Sequence, residues 1–197
     1  MADLELRMYG LVPYNISPIQ QGIQFGHAVQ EYNNKIFDLM KEYLTGFAST
    51  EEKQEVWKFE QWRTEDKTFI ILNGGTTNNT PSIVTGEYKG SLNNHLQSLK
   101  NASVNVAAFI EPDLGDQLTA VVFLVDERVF NTKKYPDFAE YILQFPEILT
   151  TFEDKSINQI IRHLEEQRPL IYTDWVKSIG GEKNEFLRSF LKNFKLA

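Results

Sequence analysis

Hydrophobic and polar positions along the chain predict strands that alternate with helices. Residues 4–14 alternate weakly in hydrophobicity, which predicts a first strand that ends at Pro13. Ser17 followed by Pro18 is typical of a helix start, because serine accepts an unpaired amide and the fixed φ of proline suits the first helical position. We expect this first helix to continue to about Leu39.

The remaining pattern predicts three more strands and a helical C-terminal part. Helical spacing continues into a second helix after a break at residues 46–49, and short apolar runs predict strands at 68–72, 104–110 and 118–125, with a helix at 90–99. Beyond residue 125 the spacing is helical, with an amphipathic helix over 154–168 and further helices over 170–197.

These elements predict an α/β fold with three layers, in which a four-stranded mixed sheet is flanked by helices and followed by a C-terminal helical extension. We expect residues 1–125 to form the α/β domain, with a helical insertion at about 38–66. Residues 126–197 are expected to be a helical extension packed on the same domain.

The first helix carries a polar face and a face of small or apolar residues. At about 100° per residue, four polar side chains fall within about 60° of one another: Gln20, Gln24, His27 and Glu31. The opposite side holds Gly22, Gly26, Phe25, Val29 and Ile19. We expect this side to face the sheet, because helices tolerate glycine where another backbone approaches closely. The polar face is either a solvated surface or part of a site.

A glycine-rich loop follows the predicted strand at 68–72. It covers residues 73–81 and opens with Asn73 and Gly74, which are candidate ligand contacts. The loop lacks the lysine and the spacing of a phosphate-binding P-loop, and it does not match the dinucleotide fingerprint. It is therefore either a plain connection or part of a nucleotide-binding surface.

An acidic turn joins the two strongest strands at residues 111–117. Acidic residues are good turn formers, so the turn has a purely structural interpretation. In the functional interpretation, Glu111 or Asp113 lies near His27 and polarises it as a general base.

Composition narrows the class of protein. The chain has 197 residues of which 42% are hydrophobic, enough to bury a sizeable core in one domain. No stretch approaches the roughly eighteen apolar residues of a membrane span, and the first residues alternate like a strand instead of resembling a signal peptide, so we predict a cytoplasmic protein. The absence of cysteine excludes disulfides and thiolate chemistry.

Charge argues against a protein whose whole surface binds nucleic acid, because the formal net charge is −7. From residue 177 onward, however, the sequence contains five basic and two acidic residues, which gives a local charge of +3. That segment is either a phosphate-contacting patch or the solvated basic face of a terminal helix. The three histidines have no metal-ligand spacing, and we predict neither a metal nor a cofactor.

Two blocks of the sequence resemble type II peptidyl-tRNA hydrolases. On the first helix, Gln24 matches the family's glutamine and His27-Ala28 match its closing His-Ala pair, while Gln20 stands where the family has lysine. The acidic turn followed by Thr119 resembles the family's aspartate-containing turn and following threonine, although the turn here is shorter. The resemblance covers residues 4–125.

The resemblance implies an esterase that cleaves peptidyl- or aminoacyl-tRNA. Water would attack the ester carbonyl with His27 assisting proton transfer, and Glu111 or Asp113 would orient His27. The residues implied to bind the oxyanion or the 3′-terminal ribose are Gln20, Gln24 and Thr119. The alternative is an inactive member of the fold that binds a nucleotide or a protein. The aromatic helical additions would also suit a homo-oligomer interface.

Overall fold

The computed structural model describes residues 4–78, 90–150, 152, 155–167 and 169–197. Two predicted segments extend beyond these residues: the end of the 73–81 loop, from residue 79, and the ends of the 154–168 helix. The chain forms two compact units, Met1–Asp126 with Asn193–Ala197, and Glu127–Lys192.

The first unit is built on a four-stranded sheet. Its elements are β1 (Leu6–Val12), α1 (Pro18–Thr45), α2 (Thr50–Gln61), a π-helical turn (Trp62–Asp66), β2 (Thr68–Asn73), α3 (Ser91–Asn101), β3 (Val106–Glu111), a 3-10 turn (Pro112–Leu114) and β4 (Gln117–Asp126). The strand order is β2-β1-β4-β3. Strands β1 and β2 are parallel, and β4 runs antiparallel to β1 and β3. The predicted mixed sheet flanked by helices is therefore confirmed.

Local sequence determines both ends of α1. The Ser17 hydroxyl accepts from the Gln20 amide, and the Gln20 side chain accepts from the Ser17 amide, which completes a capping box. The helix passes the expected end near Leu39 and stops at Gly46, whose φ of 81° is the left-handed conformation that terminates helices.

The prediction that Gly22 and Gly26 face the sheet is wrong. Both are exposed, and a Cβ atom on either would meet nothing within 4 Å. The side chains that α1 buries are Gln24, Phe25, Ala28, Tyr32 and Ile36. The close approach is made instead at Gly10 of β1, where a Cβ would overlap the Phe25 ring.

Helices cover both faces of the sheet. Met8, Val12 and Val122 share a buried cluster with Phe25 and other residues of α1. Strand alternation turns Leu11 to the other face, where a Cβ on Gly74 would meet both Leu11 and Leu92 of α3. The sheet is thus the middle of three layers.

Polar contacts also attach α1 to β3 and to the segment before it. The Lys35 ammonium donates to the Val106 carbonyl at 3.1 Å, and burial lowers the pKa of Lys35. The buried Tyr32 hydroxyl accepts from Asn105 at 3.2 Å, and burial raises the pKa of Tyr32. These contacts hold the helix over the strands that carry the acidic turn.

The last residues of the chain pair with β2. The Asn73 amide donates to the Lys195 carbonyl at 2.9 Å, and the Ala197 amide donates to the Ile71 carbonyl at 3.0 Å. The Phe194 ring lies 4.8 Å from the His95 ring of α3, between centroids. This antiparallel pairing covers part of the outer edge of β2.

The second unit is helical and has its own core. Its helices are α4 (Glu127–Phe130), α5 (Phe138–Ile142), α6 (Pro146–Thr150), α7 (Ile157–Gln167), α8 (Leu170–Ser178) and α9 (Glu182–Leu191). Phe138, Ile160 and Trp175 belong to its buried cluster. Among the helices described in the two units, none combines the length and the apolar character needed to cross a bilayer.

Candidate functional site

A β-bulge at the start of β4 determines where Thr119 points. Phe109 of β3 pairs with Ala120, but the next β3 residue, Ile110, pairs with Leu118, so Thr119 is an extra residue on β4. Simple alternation from Ala120 and Val122, which face α1, would turn Thr119 to the opposite face. The bulge instead directs its hydroxyl towards α1.

Gln24 connects Thr119 to the acidic turn. The Thr119 hydroxyl donates to the Gln24 amide oxygen at 2.8 Å, and the Gln24 amide nitrogen donates to a Glu111 carboxylate oxygen at 2.6 Å. The orientation of the amide follows from chemistry, because a carboxylate only accepts and must face the NH₂ group. Thr119 is fully buried and Gln24 is 5% exposed, so each hydrogen bond satisfies a group removed from water.

Glu111 is engaged through both of its oxygens. Its second oxygen accepts from the Asp113 backbone amide at 3.3 Å, which caps the 3-10 turn. The Asp113 side chain is exposed and makes no hydrogen bond with any residue that the structure describes. The structure therefore pairs the turn carboxylate with Gln24, whereas the sequence analysis expected it beside His27.

His27 lies beside this network, close to one helical turn beyond Gln24. Its ring is exposed and packs against the Phe109 ring, with 4.5 Å between centroids and 59° between the planes. No carboxylate within the described ranges hydrogen-bonds to it. Phe109 also supplies the carbonyl that lies 3.4 Å from the Thr119 hydroxyl, so one strand residue contacts two predicted site residues.

Gln20 is used by the helix cap. Its side-chain oxygen lies 3.0 Å from both the amide and the hydroxyl of Ser17, which donate to it. Gln20 is exposed and precedes Gln24 by one turn. The hydrogen bonds of the cap use only the side-chain oxygen of Gln20 and not its NH₂ group.

Asn73 is the last residue of β2 and Gly74 follows it, and neither joins the Gln24 network. The Asn73 side-chain oxygen accepts from the Gly75 amide at 2.9 Å, and the Gly74 amide donates to the Val12 carbonyl at 2.7 Å. A Cβ on Gly74 would lie 2.8 Å from the Leu92 side chain. Two strands separate β2 from β3, which explains the distance from Glu111.

Two residues that the sequence analysis did not single out stabilise the start of β4. The buried Thr77 hydroxyl donates to the Leu118 carbonyl at 2.5 Å, next to the bulge. Asn15 exchanges two hydrogen bonds with the Thr77 backbone, at 3.1 and 3.3 Å. The only signal in the sequence was that both are short polar side chains in loops, where such residues bond to backbone.

Exposed apolar side chains continue the row of His27. Ile19 and Ile23 precede it at four-residue spacing on α1, and they are 77% and 50% exposed. The sequence analysis expected Ile19 on the side of the helix that faces the sheet, and that prediction is wrong. The structure turns both isoleucines to solvent.

The described ranges contain no group of three histidine or acidic residues placed to hold a metal ion. No family model matches the chain, and comparisons with characterised proteins and with solved structures found no significant similarity. The interpretation of the site therefore depends on its own geometry.

Proposed function

We propose that the chain is an esterase that hydrolyses the ester bond of peptidyl- or aminoacyl-tRNA. The observation that carries the proposal is the buried Thr119–Gln24–Glu111 network, with the exposed His27 close to one turn away on the same helix. Fixed hydrogen-bond donors beside an accessible imidazole are the arrangement that ester hydrolysis requires.

In the proposed reaction, His27 is the general base. A water molecule attacks the ester carbonyl while His27 takes its proton, and the protonated imidazole then gives that proton to the 3′ oxygen of the leaving ribose. One water is consumed, and a free ribose hydroxyl and a carboxylic acid are formed; the acid then loses its proton to solvent. The Phe109 ring, instead of a carboxylate, holds the imidazole in place.

Gln24 is the proposed donor to the substrate. One hydrogen of its NH₂ group is used by Glu111, and the other is available for the developing oxyanion or a ribose hydroxyl. Thr119 and Glu111 fix the amide plane, so little reorganisation is needed when charge develops. General acid-base assistance and oxyanion stabilisation each contribute about a hundredfold or more in rate.

The surface around His27 suits an acyl group with apolar character. Ile19 and Ile23 extend along the helix from the imidazole and are exposed. They are positioned to contact the acyl side of an ester held at His27. Gln20, in the place of the family's lysine, offers an amide hydrogen bond there in place of a positive charge.

A second candidate function is binding without hydrolysis. It is favoured by the engagement of both Glu111 oxygens within the network and by the use of Gln20 in the helix cap. In this proposal, the same surface holds a nucleotide or a protein partner, and His27 contributes contact instead of proton transfer.

Release of the acyl group from peptidyl-tRNA by the purified chain separates the two proposals. We expect hydrolysis, and we expect His27→Ala to reduce its rate by about a hundredfold because the general base is lost. His163→Ala is the matched control, since His163 also packs beside a phenylalanine but belongs to the second unit. Retention of tRNA without release would support binding alone, and equal rates for the wild type and His27→Ala would refute the catalytic role.

A further inference from the structure

The hairpin of α1 and α2 contains an apolar groove away from the candidate site. This hairpin groove is a cavity of about 550 Å³ between the last turns of α1 and the length of α2. Tyr43 and Leu44 line it from α1, and Val56 and Trp57 line it from α2. Lys53 and Glu60 also line the groove, one turn on either side of Trp57.

The end of the hairpin exposes several large apolar side chains, a feature that often marks an interaction surface. Five large apolar side chains are between 41% and 85% exposed: Phe37, Tyr43, Leu44, Phe47 and Trp57. Aromatic side chains present roughly 150–250 Å² each and leucine somewhat less, so the exposed fractions of the five amount to about 500 Å² of apolar surface. A standard interface buries about 800 Å² per partner, which this surface approaches once a polar rim is added.

Two copies of the groove have complementary charges when their α2 helices pack antiparallel. Lys53 and Glu60 are seven residues apart on α2, which is about 10 Å along the helix axis. If two α2 helices pack antiparallel about a two-fold axis near Trp57, Lys53 of each copy lies opposite Glu60 of the other. The contact is isologous, so both ion pairs form in the same closed dimer.

Within one chain, Lys53 and Glu60 can each still form an ion pair with a second copy. The Lys53 ammonium lies 6.0 Å from the Tyr43 ring centroid and contacts no carboxylate within the described ranges. Glu60 is paired with Arg63, at 2.5 and 2.8 Å, on the exposed side of its own helix. A carboxylate accepts several donors, so Lys53 of a second copy can join that pair.

We propose that the hairpin groove is the interface of a homodimer, in which the hairpins of two copies pack as an antiparallel four-helix arrangement. Trp57 lies near the two-fold axis, and each Lys53 pairs with Glu60 of the other copy. This proposal does not depend on the esterase function, because the groove shares no residue with the candidate site.

Charge reversal provides a specific test by sedimentation velocity and native mass spectrometry at low salt. We expect the wild type to dimerise between about 1 and 100 µM. Lys53→Glu and Glu60→Lys should each weaken the dimer by about tenfold or more, because two attractive pairs become repulsive. An equimolar mixture of the two variants should form a heterodimer, since the introduced glutamate of one chain then faces the introduced lysine of the other. The unchanged Lys53 and Glu60 form the second attractive pair of that heterodimer.

Truncation of an exposed leucine provides the matched control. Leu44→Ala should weaken the dimer, whereas Leu170→Ala should leave it unchanged, because the two leucines are 80% and 82% exposed and only Leu44 lines the groove. A wild type that stays monomeric overturns the proposal. So does a dimer that tolerates Leu44→Ala, or a mixture of the charge variants that is no more dimeric than either alone.

Discussion

Gln24 is the residue on which the candidate site depends. It is a neutral side chain with two donors and one acceptor oxygen, and it is buried between a hydroxyl and a carboxylate. Both contacts cross large sequence separations, so the amide links the first helix to the strand and the turn that follow much later. Loss of either partner leaves a buried polar atom unpaired, which costs more than an exposed hydrogen bond is worth.

Thr119→Val tests this dependence directly. The substitution keeps the shape of the side chain but removes the hydroxyl that donates to Gln24, so the amide oxygen is left buried and unpaired. We expect the free energy of unfolding to fall by about 1–3 kcal/mol, measured by urea denaturation. Thr45→Val makes the same change at an exposed site and should cost less than about 0.5 kcal/mol. Similar losses for both variants would contradict the role of Thr119.

Sequence reasoning identified the members of this network but not its connections. Gln24, Thr119 and Glu111 were all predicted site residues, and the structure joins them. The contact of Thr119 with Gln24 depends on the bulge in β4, and Glu111 hydrogen-bonds Gln24 instead of His27. Bulges depend on strand register, which a local pattern of hydrophobic and polar residues does not encode.

At the scale of elements, α1 shows the strength and the weakness of helical periodicity. The cap at Ser17 was predicted from two adjacent residues and is present. The buried face was predicted to hold the glycines and Phe25. Phe25 is buried as expected, but Gly22 and Gly26 are exposed, and Gln24 of the predicted polar face is buried. The reason is that Gly10 provides the space for the Phe25 ring, so the glycine that permits the close approach is on the strand.

Glycine substitutions test which side of α1 packs on the sheet. Gly22→Ala and Gly26→Ala should each raise the free energy of unfolding by about 0.5–1 kcal/mol, because alanine has higher helix propensity and meets no neighbour. Gly10→Ala should lower it by about 1–3 kcal/mol, because the new Cβ overlaps the Phe25 ring. Thermal and urea unfolding measure all three, and destabilisation by Gly22→Ala would mean that the helix packs through its glycine face after all.

At the scale of the whole molecule, the first structural unit is built from two segments that are not adjacent in the sequence. The residues after Lys192 belong to the same compact unit as the sheet, although the helical unit intervenes in the sequence. Main-chain hydrogen bonds to Ile71 and Asn73 hold this terminal segment. Its side chains are mostly exposed, so backbone pairing carries most of the attachment.

Deletion of residues 193–197 tests this attachment. We expect the free energy of unfolding to fall by about 1–3 kcal/mol, because two main-chain hydrogen bonds and the contact of Phe194 with His95 are lost. The Asn73 amide should also exchange its hydrogen faster, since its acceptor is the Lys195 carbonyl. Lys195→Ala keeps the main chain and should leave both quantities nearly unchanged. Unaltered exchange at Asn73 in the deleted chain would refute the pairing.

The sequence by itself predicted the strands, the helices and the start of α1, because these follow from periodicity and capping within short segments. The mixed four-stranded sheet was predicted from the order of these elements along the chain. Only the tertiary structure decided which face of α1 is buried, which carboxylate meets Gln24 and how the terminal residues pair with β2. Each of these depends on contacts between segments far apart in the chain. Such contacts depend on strand register and on the volumes of the side chains that pack together. A local pattern of hydrophobic and polar residues determines neither of these.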